Sequence, residues 1–165
     1  MKDEGESGTR MVGSALLTAF LLTGCAALHT ANPQVAQSRE QAQIQQRLQA
    51  VFSAAESRDF NRLDGYHLYG PKFTKFTGSS IDRLDAAAGR KGEHDDLGHT
   101  EGLRMRAEAL KIDVFDSVGI ATFILDCSFE SGGEVVHRKH RLTLVFVKEG
   151  GDWKIAHEHL SPIGR

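Results

Sequence analysis

The sequence predicts an α+β domain in which N-terminal helices pack on one face of a bent antiparallel sheet. Three observations carry this. Apolar residues recur at helical spacing between residues 38 and 57. Four segments with alternating apolar positions fill residues 103–161. The residues separating those segments are of hairpin type. Helices first and a meander of strands afterwards is the α+β order. The 165 residues are one domain's worth of chain, with 40% hydrophobic and 25% charged residues. A net charge of −2 excludes a domain-wide basic footprint, so no nucleic-acid partner is expected. Two cysteines can build neither a disulfide framework nor a four-thiolate zinc site.

In the first helix, residues 38–57, Ile44, Leu48, Val51, Phe52 and Ala55 fall on one face. Ser38 with Gln41 three residues on has the form of a capping box. Asp59 suits the N-cap of a second, short helix with Phe60, Leu63 and Tyr66 on its apolar side. Gly65 and Gly70-Pro71 punctuate its end. Residues 72–76 (KFTKF) read as a short strand. Residues 78–102 are rich in Gly, Asp and Ala. They read as a surface excursion or lid, with a helix between Asp82 and Leu97. Strands are predicted at 103–114, 118–129, 135–148 and 153–161. Their connections are Asp116-Ser117, Ser131-Gly132-Gly133 and Glu149-Gly150-Gly151-Asp152. Gly132-Gly133 and Gly150-Gly151 are therefore turn glycines, and no phosphate loop, dinucleotide fingerprint or nucleophile elbow is found.

Residues 11–24 (MVGSALLTAFLLTG) form an uncharged run of fourteen between Arg10 and Cys25. A spanning helix needs about 20 apolar residues. The apolar core of a secretory signal needs roughly 7–15. Leu22-Thr23-Gly24-Cys25 resembles the lipobox of bacterial lipoproteins, in which the Cys is acylated and becomes the mature N-terminus. The resemblance implies a signal peptide over 1–24, lipidation (palmitate) at Cys25, a tether over 25–37, and membrane attachment through the N-terminal lipid. Ala26, where inner-membrane lipoproteins carry Asp, implies the periplasmic side of the outer membrane in a Gram-negative envelope. The acidic leader, with Asp3, Glu4 and Glu6 against Lys2 and Arg10, departs from the usual positive start. Cys127, among apolar strand neighbours, reads as a buried, inert thiol.

Trp153-Lys154-Ile155-Ala156-His157-Glu158-His159-Leu160-Ser161 resembles the final strand of SnoaL-like domains, in the nuclear transport factor 2-like superfamily. Residues 143–148 (TLVFVK) resemble the strand before it. Ala54, Asp59 and Leu63, followed by Phe73, are similar to the family's first helices. The resemblance covers about residues 41–162. It implies a cone-shaped half-barrel, residues 38–165 forming the domain, with an apolar cavity at the open end and dimerisation through the outer sheet face. Members include isomerases, cyclases, dehydratases and non-catalytic binding or assembly domains, so the fold does not set the chemistry.

His157 and His159 are two apart on a strand and share a face with Trp153, Ile155 and Ser161 when alternation is unbroken. They read as ligand-orienting or acid–base groups, or as a pair buried in a core or subunit contact. A bulge would change which face they see. By the same alternation Glu158 lies on the opposite face, so the pair lacks a third ligand for zinc. No metal and no cofactor is expected. Asp126 is the strand carboxylate that would enter a cavity, and Tyr66 or Tyr69 would supply a phenol. Tyr66, Asp126, His157 and His159 are thus the candidate ligand-binding residues. Arg138 through Arg141 (RKHR) alternates its charge across two faces and makes no anion patch. The leading expectation is a lipid-anchored homodimeric domain that binds a small, mostly apolar molecule without catalysis. An isomerase-, cyclase- or hydratase-like enzyme and an envelope assembly module are the alternatives.

Overall fold

The computed structural model describes residues 33–163 apart from Ser79. The apolar run at 11–24 and Cys25 lie outside them. Among the described residues no helix is long and apolar enough to cross a membrane.

Three helices and five strands follow one another as α1 (Pro33–Glu56), α2 (Phe60–Tyr66), β1 (Thr74–Phe76), α3 (Ala86–Gly98), β2 (Glu101–Phe115), β3 (Val118–Ser131), β4 (Glu134–Glu149) and β5 (Asp152–Pro162). Helix α1 begins five residues before the expected Ser38. Pro33 opens it, where a missing N–H costs no helical bond. Ser38 is inside the helix, and its hydroxyl donates to the Gln34 carbonyl at 2.8 Å instead of capping. The expected face of α1 is the buried one: Ile44, Leu48, Val51, Phe52 and Ala55 are all in the core. Asp59 caps α2 as expected, accepting from the Arg62 amide at 3.1 Å. Asp85 does the same for α3, accepting from Ala88 at 2.9 Å.

The sheet order is β1-β5-β4-β3-β2. β2 through β5 form the expected antiparallel meander. β1 joins β5 in parallel, so the sheet is mixed rather than wholly antiparallel, and it is not closed. A parallel neighbour needs a long crossover between the paired strands, and residues 77–151 supply it.

Irregular pairings bend the long strands. β2 slips register between Glu101 and Arg104 and again between Glu108 and Lys111, where Ala109 has φ 52°. In β5, Ile155 pairs with Phe146 and His157 with Val145, leaving Ala156 as an extra residue. Bulges of this kind increase local twist and re-aim side chains.

The inner face of the sheet packs on α1. Phe123, Leu125, Leu144, Phe146, Trp153 and Ile155 are buried there. Glu40 ties α1 to the last hairpin: Lys148 Nζ reaches both its carboxylate oxygens at 2.8 Å, and Trp153 Nε1 donates to one at 3.0 Å. At Gly119 α1 comes close against the sheet. A Cβ there would stand 2.2 Å from Ile44 Cδ1. Gly119→Val is therefore expected to destabilise the domain by about 1–3 kcal/mol through overpacking. Urea unfolding checks this, and an unchanged midpoint would refute the close packing.

Candidate functional site

Between α1, α3 and the inner face of the sheet lies a hollow of about 470 Å³. Its wall is mostly apolar, with Val51 and Ala55 from α1, Leu63 from α2, Leu97 from α3, Met105 from β2 and Leu160 from β5. Lys75, Glu93, Asp96 and His140 are its charged or titratable members.

Four elements place the polar side chains. His67 follows α2 as its C-cap residue, and the next amide, Leu68, donates to the Ile155 carbonyl at 2.8 Å. That bond lays residues 67–69 beside the start of β5. Tyr69 stacks on His67 with ring centroids 4.9 Å apart, and meets Phe73 edge-on at 4.8 Å. Lys75 is the central residue of β1 and pairs with Glu158. Backbone bonds in both directions between Lys75 and Leu84 close the loop before α3. Helix α3 rests on Phe73 at Gly89, where a Cβ would come within 2.9 Å of the ring. This seating carries Glu93 to Tyr69, whose hydroxyl donates to Glu93 Oε2 at 2.8 Å.

The result is a chain of alternating charge. His67 Nδ1 donates to the Leu63 carbonyl at 2.9 Å, and Nε2 donates to Glu158 Oε1 at 2.6 Å. Both nitrogens face acceptors, so both carry hydrogen and the ring is an imidazolium. Lys75 Nζ stands 2.6 Å from Glu158 Oε2 and 3.8 Å from Glu93 Oε1. Burial works against the charge on His67, but the Glu158 and Glu93 carboxylates and the Leu63 carbonyl outweigh it and hold its pKa at about 8. Burial likewise opposes the charges on Lys75 and Glu158. Their mutual attraction, with His67 and Glu93, pushes Lys75 up and Glu158 down. Tyr69 is pushed up by burial and by the Glu93 carboxylate, so it remains a donor. On the far wall, burial and Arg138 depress His140, whose Nδ1 is buried with no hydrogen-bond partner.

The bulge at Ala156 decides which residues of β5 face this hollow. Past it Glu158 and Leu160 turn inward, beside Leu144 and Leu142. His157 and His159 turn outward, beside Val145 and Thr143, and away from the face of Trp153 and Ile155 that unbroken alternation gave them. His157 Nδ1 lies 2.7 Å from the Thr74 hydroxyl, and His159 is exposed near Phe76. Glu158 lies on the face opposite His157 and His159, as expected, but that face is the inner one, where it finds His67 and Lys75. His67, Glu93 and Glu158 bring their ligating atoms within 4.8 Å of one another. That donor set would suit a divalent ion, but the Lys75 ammonium already serves as the cation between the two carboxylates.

The other candidates lie elsewhere. Asp126 is on the outer side, bonded by Arg106 at 2.8 Å, which holds its pKa below the usual carboxylate range. Tyr66 accepts from Arg62 at 3.1 Å, and the Arg47 guanidinium sits 4.8 Å from its ring centre. Tyr66, Asp126, His157 and His159 are all absent from the wall of the hollow. The expected excursion of residues 78–102 contains α3. There His94 bonds Asp64 at 2.8 Å and stacks on Phe60, docking α3 to α2. Cys127 is half-buried rather than buried as expected; it donates to the Arg138 carbonyl, and partial burial raises its pKa.

Comparison with known proteins agrees with this architecture. The SnoaL-like domain family matches residues 44–164. No curated protein matches the sequence. Among solved structures, a candidate dehydratase of the nuclear transport factor 2-like family from Streptomyces avermitilis superposes with a TM-score of 0.70 at 16% identity. The match covers 78% of this chain and 99% of that one. A nuclear transport factor 2-like superfamily protein from Salmonella enterica gives 0.68 at 16% identity, covering 78% and 94%. A candidate calcium/calmodulin-dependent protein kinase II association domain from Xanthomonas campestris gives 0.64 at 14% identity, covering 82% and 94%. At these identities the structural matches speak for the fold alone. The family match spans most of the chain, and with the bent sheet, the helix lying in it and the hollow they leave, it places this protein in the SnoaL-like domain family, with a fold like that of the nuclear transport factor 2-like structures.

Proposed function

We propose that the domain is a binding module whose hollow receives a small, mostly apolar molecule with its polar end at Lys75 and Glu93. The observation that carries this is the mostly apolar 470 Å³ space with a charged cluster on one side. A ligand that binds only the folded state raises its melting temperature by mass action. Full-length protein screened against small apolar compounds is expected to show such shifts, and Leu160→Trp, which fills the hollow, is expected to abolish them. Shifts that persist in Leu160→Trp would place binding elsewhere.

A second reading is acid–base chemistry of the isomerase or dehydratase type. It is favoured by Glu93, a carboxylate on the cavity wall oriented by Tyr69 and 3.8 Å from the Lys75 ammonium. In that reading Glu93 takes the proton and Lys75 steadies the developing oxyanion.

The uncharged run ending in Leu-Thr-Gly-Cys supports attachment through an acyl chain on Cys25, and Ala26 supports the outer membrane. Cys25→Ser is expected to move the protein from the membrane pellet to the soluble fraction. Continued pelleting would count against lipidation. Self-association through the outer sheet face fits Ile124, Val145 and the His157–His159 pair lying there. A structure described as an association domain shares this fold.

A further inference from the structure

We infer that the ligand is an organic cation, an apolar body bearing a protonated amine that the Glu93 and Asp96 carboxylates receive. This rests on the cavity reading above and adds the chemical class of the occupant.

The argument begins with hydrogen-bond capacity. Glu93 Oε2 is taken by the Tyr69 hydroxyl. Glu93 Oε1 has Lys75 as its cation, but at 3.8 Å, beyond hydrogen-bond reach. Lys75 is committed to Glu158 at 2.6 Å instead. Asp96 stands on the same wall, solvent-exposed; its charge acts on the Lys75 ammonium, but its carboxylate makes no hydrogen bond or close ion pair among the described residues. Glu93 and Asp96 are three residues apart on α3, so they share the face turned to the hollow, next to Leu97. The wall therefore offers acceptor oxygens on one side, directly beside apolar surface.

Charge points the same way. The imidazolium of His67 and the ammonium of Lys75 balance Glu158 and Glu93, and Asp96 leaves the cluster net negative. His140, held neutral by burial and by Arg138, adds no opposing cation. Asp96 and Leu97 also belong to the last turn of α3, whose carbonyl end carries partial negative charge. An anionic ligand would have to draw Lys75 away from Glu158 while facing two carboxylates. A neutral hydroxyl could donate one bond to a carboxylate but would bring no positive charge to offset Glu93 and Asp96.

The test is a matched series on one rigid apolar body: 1-adamantylmethylamine, 1-adamantanemethanol and 1-adamantanecarboxylate. Each is titrated calorimetrically into the full chain at pH 7. The amine is expected to bind about tenfold more tightly than the alcohol, and the carboxylate more weakly than either. In Glu93→Gln/Asp96→Asn the amine-to-alcohol ratio is expected to fall to about one, with Asp96→Asn alone between. The ratio is the readout, so a general loosening of the variant does not imitate the effect. An amine preference that survives the double substitution, or an alcohol or carboxylate that binds as tightly as the amine, overturns the cationic assignment while leaving the cavity reading intact. If none of the three binds, the cavity reading itself fails and the inference with it.

Discussion

Glu158→Ala is expected to cost the fold about 3–5 kcal/mol, measured by urea unfolding at pH 6.5. Glu158 is 6% exposed and serves two cations, His67 and Lys75, at 2.6 Å each. Without it two buried positive charges face each other, with Glu93 the remaining counter-ion. The same variant should lose a pH dependence. His67 titrates at about 8 in the folded chain against an ordinary 6.5. A folded-state value above the unfolded one stabilises fully below pH 6.5, and that contribution disappears as pH rises through about 8. The size is about 2 kcal/mol. The groups facing the ring are Glu158 from β5, Glu93 from α3, Lys75 from β1 and the stacked Tyr69. Lys75 and Tyr69 keep their protons through this range. On the acid side Glu158 acts with the opposite sign. Its lowered pKa stabilises above the ordinary value of 4.5 and ceases to do so as pH falls far below it. Wild-type protein should thus unfold more easily at pH 9 than at pH 6.5, and Glu158→Ala should show a much smaller difference. Equal slopes in the two proteins would mean that His67 does not carry the charge described.

Phe146→Ala is expected to lose about 3–5 kcal/mol, independently of pH. The ring is fully buried on the inner face of β4, where Ile155 is its partner on β5, and its Cβ lies near Gly119. Strands and α1 close on this point together, so the cavity left by truncation has little room to collapse. A cost under about 1 kcal/mol would show a core that repacks freely, at odds with the contact between Ile44 and Gly119.

Most of the scaffold was legible from local signals. The period-2 segments fell within two residues of their strand ends, because the turn residues between them are those that hairpins require. The buried face of α1 was legible from the spacing of Ile44, Leu48 and Val51. Its start was not, because a polar, Pro-led stretch reads as a tether when the helix before Ser38 has no apolar stripe. The parallel pairing of β1 was invisible, since three residues carry no direction. The site was hidden for two reasons. His67, Lys75, Glu93 and Glu158 belong to four separate segments, so no motif joins them. The parity rule also breaks at Ala156, and a small residue between Ile155 and His157 gives no warning of a bulge. Lys75 was the one local hint: a charge between Phe73 and Phe76 in a strand needs a buried partner or a solvent face, and here it has the partner.

That dispersal has a kinetic side. The His67–Glu158 contact joins residues 91 apart in sequence, and Glu158 lies in β5, the last of the described strands. Such a long-range closure is expected to form after the local hairpins of β2 to β5 and late relative to the folding barrier. Loss of Glu158 should consequently appear as faster unfolding with little slowing of refolding. The charge chain is then a late latch, governing how long the finished domain persists rather than how quickly it assembles.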